Sequence, residues 1–67
     1  MMTIKINGKT ENISKKITLS ELIKSLGLSC EKVVVEHNFC IVPLEKQAGI
    51  ILKENDILEI VSFVGGG

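Results

Sequence analysis

Ile57-Leu58-Glu59-Ile60-Val61-Ser62-Phe63-Val64-Gly65-Gly66-Gly67 is the stretch on which the reading of this 67-residue chain turns. Its apolar, partly β-branched first part has strand composition. A period of two sets Val61 and Phe63 on one face of that strand, and Leu58, Ile60 and Val64 on the other. One face must cover the core. The other, if left open, is an apolar patch suited to docking a partner, with Val61, Phe63 and Val64 as the residues at hand. The three glycines that follow lose much backbone freedom on ordering and are expected to stay mobile. Residues 1–64 therefore read as a folded domain, and 65–67 as a flexible glycine tail. Without a Cβ on Gly65 or Gly66, such an arm can thread a narrow channel and carry the α-carboxylate of Gly67 into another protein's active site. An anionic carboxylate is a poor electrophile. It has to be activated, usually as an acyl adenylate, before a sulfur anion attacks it.

The other stretches supply a body for that arm. Met2, Ile4 and Ile6 alternate with Thr3 and Lys5, as in a half-buried strand, and Asn7-Gly8 is the strongest short hairpin signal. A returning strand is expected over about 10–17, lysine-guarded and poor in apolar anchors, as befits an edge. Thr18-Leu19-Ser20-Glu21 is a capping box. Leu19, Leu22, Ile23 and Leu26 then form one apolar helical stripe of about two turns, closed by Gly27 with Leu28 behind it in a Schellman arrangement. Val33-Val34-Val35 reads as a central, nearly continuous apolar strand. Glu36-His37-Asn38 leads to a turn, Phe39-Cys40-Ile41-Val42 is a second apolar patch, and Pro43 ends it or opens a short helical turn over 44–47. Ile50-Ile51-Leu52 is a further short apolar element, and Lys53-Glu54-Asn55-Asp56 a charged turn. Hairpin, helix and strands in this order predict an α+β fold of the β-grasp type. One main helix would pack on one face of a four- to five-stranded mixed sheet, with the last strand beside the first and parallel to it.

Composition fits one small domain that must use its core well, since a chain this short buries only about 60% of its unfolded surface. Hydrophobic residues make up 45% of it, mostly Ile, Leu and Val. Lys+Arg and Asp+Glu number 8 each, so the basic surplus that nucleic-acid binders need is missing. No apolar run approaches the ~18 residues of a membrane span, and no signal core follows Met1. The chain is expected in the cytoplasm, off the membrane.

The residues Asn7-Gly8, Thr18 to Ile23, Val33 to Asn38, Ile41-Val42-Pro43 and Asp56 to Gly67 together resemble the ThiS family of sulfur carriers in thiamine thiazole synthesis, ubiquitin-like β-grasp proteins ending in Gly-Gly. The resemblance covers essentially the whole chain, and the last block is its most specific part. Two departures stand in it. Leu44 and Gln47 replace an arginine and an aromatic common near the proline, and Asn55-Asp56 replaces a Gly-Asp turn.

The resemblance implies a cycle run by other proteins. An adenylyltransferase of the ubiquitin-activating type (ThiF-like), using ATP and Mg²⁺ that this chain does not itself bind, converts the Gly67 carboxylate to an acyl adenylate. Sulfur coming indirectly from a cysteine desulfurase turns it into a thiocarboxylate, and a thiazole synthase (ThiG-like) takes the sulfur. The chain would have no catalytic residue and hold no metal or cofactor. The alternatives are a carrier like the small subunit of molybdopterin synthase, whose chains are usually longer, and a ubiquitin-like protein modifier. His37 is the only histidine and lacks a nucleophile or metal-ligand set at a recognisable spacing; a structural or solvated role is expected. Cys30 and Cys40 lie outside any C-x-x-C spacing and read as buried or half-buried free thiols, with a disulfide left open.

Overall fold

The computed structural model describes residues 2–63. The elements in chain order are β1 (Met2–Ile6), β2 (Lys9–Ile13), α1 (Leu19–Ser25), a 3₁₀ turn (Cys30–Lys32), β3 (Val33–His37), β4 (Cys40–Ile41), α2 (Leu44–Gln47) and β5 (Ile57–Ser62). They form one five-stranded mixed sheet in the order β2-β1-β5-β3-β4. β5 runs parallel to β1 and antiparallel to β3, as the β-grasp expectation requires.

Local chemistry explains most of these elements. Asn7 and Gly8 have φ 52 and 84, the left-handed pair of a type I′ turn, and so close the β1–β2 hairpin. The α1 capping box is complete. Thr18 Oγ1 accepts from the Glu21 amide at 3.2 Å, while the Thr18 amide donates to Glu21 Oε1 at 2.8 Å. These bonds hold the exposed Glu21 carboxyl below the usual range, first through the Thr18 amide. At the other end Gly27, with φ 80, donates to Lys24 O, and the Leu28 amide donates to Ile23 O. That pair of bonds is the Schellman closure.

The core joins Leu19, Leu22 and Ile23 of α1 to Ile4, Val33, Val35, Leu58 and Ile60 of the sheet, with Val42 and Leu52 from the connections. Each fully buried side chain of this kind contributes about 1.5–3 kcal/mol of transfer free energy, against which the ordering entropy of the chain must be set.

Two expectations are corrected. The returning strand stops at Ile13 rather than continuing to Ile17, because Ile13 already pairs with Met2, the first residue of β1. Leu26 does not belong to the buried stripe. The helix closes one residue before it, leaving Leu26 exposed while Leu28 packs on the core. The short apolar element Ile50-Ile51-Leu52 forms a single bridge, Thr18 to Ile51, flanked by bonds from Leu19 N to Ile50 O and Leu52 N to Ile17 O. Val33-Val34-Val35 opens β3, an interior strand of the sheet, as expected. Val33 and Val35 are core, but Val34 points to the outer face and is exposed, since the one main helix covers only the other side.

Pro43 opens α2, as read from the sequence. Leu44 is exposed, whereas Gln47 is buried, so the second departure near the proline alters the core. Gln47 Nε2 donates to Val42 O at 3.4 Å, and its Oε1 has no partner among the described residues.

Candidate functional site

β5 carries the chain toward the glycines, and its two faces differ sharply. Leu58 is 0% and Ile60 6% exposed, whereas Val61 is 61% and Phe63 48% exposed. The alternation follows from the pleat, with the helix on one side and open solvent on the other. Val61 and Phe63 therefore lie together on the outer face. Val34 is the cross-strand partner of Val61 and extends the apolar strip onto β3. Sequence reading missed Val34 because a run of three valines does not say which of them a single covering layer will reach.

Backbone pairing holds β5 on both sides and beyond its end. Lys5 N donates to Asp56 O and Asn7 N to Leu58 O, each at 2.9 Å, and Phe63 N donates to Lys32 O at 3.0 Å. Past the end of β1 the side chain of Asn7 takes over the ladder. Its Oδ1 accepts from the Ile60 amide at 2.7 Å, and its Nδ2 donates to Ile60 O at 3.1 Å. One side chain thus stands in for a missing strand residue. The Asn-Gly signal revealed the turn but not this second role. Val64, Gly65, Gly66 and Gly67, the remaining residues singled out from the sequence, lie outside the described residues.

The opposite end of β5 holds a polar knot. His37 Nε2 and Asp56 Oδ2 are 2.9 Å apart, Asn38 Nδ2 donates to Asp56 Oδ1 at 3.1 Å, and Lys53 N donates to Asp56 Oδ2 at 2.9 Å. Asn38 Oδ1 in turn accepts from Ile57 N at 2.9 Å. Burial pushes the Asp56 carboxyl up, but the bonds from His37, Lys53 and Asn38 outweigh it and hold it below the ordinary aspartate value. The knot ties the β3–β4 turn to the start of β5, so His37 is a tether, and it stands at the far end of the strand from the glycines.

The cleft beside it, lined by His37, Asn38, Ile50 and Asp56, shares that location. Among the described residues no group of three or more His, Cys, Asp or Glu is placed to hold a metal ion. Both cysteines are free thiols. Cys30 is half-buried, but Cys40 is exposed because it lies on the two-residue edge strand β4, which corrects the expectation that both would be covered. No helix among the described residues is long and apolar enough to cross a membrane.

The chain is similar to known proteins over nearly its whole length. The sequence model of the ThiS family matches residues 4–67. The chain belongs to the ThiS family. The crystal structure of the thiamine biosynthesis protein ThiS from Geobacter metallireducens superposes with a TM-score of 0.82 at 29% identity, covering 98% of this chain and 100% of that one. The sulfur carrier protein ThiS of Bacillus subtilis is 37% identical over 65 residues, 96% of this chain and 98% of that protein. A thiazole synthase of Paramagnetospirillum magneticum is 42% identical over 66 residues, 98% of this chain, but the chain spans only 20% of the length of that protein. A thiazole synthase about five times longer thus contains a ThiS-like stretch.

Proposed function

We propose that this ThiS-family sulfur carrier of thiamine biosynthesis carries its cargo as a thiocarboxylate on Gly67. The supporting observation is that the family match runs unbroken through the glycines, behind a strand held by backbone bonds as far as Phe63. In the proposed cycle an adenylyltransferase joins the Gly67 carboxylate to AMP and releases pyrophosphate. A persulfide then attacks the glycyl carbonyl and expels AMP, and a thiol splits the S–S bond to leave the thiocarboxylate. Gly65 and Gly66 provide the reach into the partner's channel, while Val61 and Phe63 form the docking surface. ATP and Mg²⁺ belong to the activating enzyme, the sulfur originates with a cysteine desulfurase, and the chain acts as a protein cosubstrate in the cytoplasm. A thiazole synthase is the proposed acceptor, a pairing supported by the ThiS-like stretch within such synthases.

Intact mass tests the reading. After incubation with ATP, adenylyltransferase and a persulfide source, the chain should become heavier by the difference between sulfur and oxygen. A variant with one residue added after Gly67 should keep its fold and lose the gain. An unchanged mass in the wild-type chain, with an enzyme that loads another ThiS protein, would overturn the proposal.

A further inference from the structure

Glu36 of β3 stands directly opposite Glu59 of β5 in the antiparallel register, which sets their Cβ atoms about 5 Å apart. Like charges so placed destabilise the sheet that holds them. Neither carboxylate has a cation within ion-pairing distance among the described residues, where the single ion pair is His37–Asp56. Lys5 shares the outer face opposite Ile57, diagonal to Glu59, and forms no ion pair with either glutamate. Apart from Lys5, the side chains flanking the acidic pair are apolar. Ile41 is the β4 partner of Glu36, and Val34 with Val61 is the next outward-facing pair toward the glycines. Their exposures are 68%, 44% and 61%.

Resting on the sulfur-carrier reading above, we infer that Glu36 and Glu59 are positioning residues that receive an arginine or lysine from an otherwise apolar surface of the activating enzyme. The flanking apolar side chains remove water from the contact and so strengthen the charge pairing. A guanidinium presents a planar fork of donors that suits two neighbouring carboxylates. Other occupants fit poorly. Stacking this face on a second copy brings two acidic pairs together, and phosphates of nucleic acid or anionic lipid would be repelled. One cation seated between Glu36 and Glu59 fixes how the strand approaches the enzyme, and hence where the glycines enter.

The test uses the full chain with Glu36→Gln, Glu59→Gln and both together, in thermal melts and in adenylate formation by the adenylyltransferase. Relief of like-charge repulsion should raise Tm by about 2–4 °C in the double variant. Its KM as carrier should rise about tenfold with kcat nearly unchanged, and the salt dependence of KM should flatten. The combination of a firmer fold with weaker docking is one that a structural role for the pair does not produce. A lowered Tm in the double variant would make the pair structural and overturn the inference. So would a KM within twofold of wild type with an equal salt slope, while the wild type still loads. If the wild-type chain fails to load at all, the sulfur-carrier reading falls and this inference falls with it.

Discussion

At φ 52 Asn7 occupies the left-handed region that most side chains avoid, and from there its amide pairs with both backbone groups of Ile60. An alanine in its place loses two hydrogen bonds and gains conformational strain. Asn7→Ala is expected to lower stability by about 2–3 kcal/mol and Tm by roughly 10 °C or more, read from a thermal melt. Unchanged Tm would show that water replaces the amide at Ile60 without cost. The turn itself was legible at the sequence level because Asn-Gly acts on its own φ angles. The bond to Ile60 was not, since it joins positions 53 residues apart and depends on β1 ending before β5 does. Phe39 makes the same point in reverse. At φ 73 it takes a position where glycine is favoured, and no rule of turn composition puts an aromatic there.

Among the elements, α1 was the most legible, because the Thr18–Glu21 box and the Gly27 closure are contacts within a few residues of each other. The end of β2 and the outward turn of Val34 were hidden, as both depend on which neighbour each strand meets. The turn over residues 53–56 belongs to this scale too, and its stability should depend on pH through Asp56. Its folded pKa lies below the unfolded value, so the unfolded chain binds the proton more readily. The contribution is therefore fully present above the unfolded aspartate value, about 3.9, and is lost as pH falls from there through the folded value. Tm measured from pH 7 down to pH 3 should drop at the acid end. Asp56→Asn should start lower at pH 7 and lose less over that interval. Parallel curves for the two proteins would remove Asp56 from the account, leaving the exposed carboxyls, Glu21 included, to explain any acid loss.

For the molecule as a whole, the covering of one sheet face by a single helix leaves the other face exposed, and the division is visible in β5, where Leu58 and Ile60 are buried in the body while Val61 and Phe63 are not. Phe63→Glu is accordingly expected to keep cooperative unfolding with Tm within a few degrees of wild type. Its KM in adenylate formation should rise by about tenfold or more, because a charge enters an apolar contact. A collapse of the melt would instead assign Phe63 to the core. The β-grasp plan and the sulfur-carrier family were legible from the final stretch and the capped helix together. The acidic pair on the outer face was not, because Glu36 and Glu59 become neighbours only through the β3–β5 register.

The placement of β5 in the middle of the sheet has a mechanical consequence. Traction applied beyond Ser62 while a partner grips the opposite side of the body runs along a strand bonded to β1 on one side and β3 on the other. Its cross-links must then slide past one another in shear and yield together, whereas a strand at the margin would peel open one bond at a time. An enzyme can thus tug on the end of this protein without unravelling it.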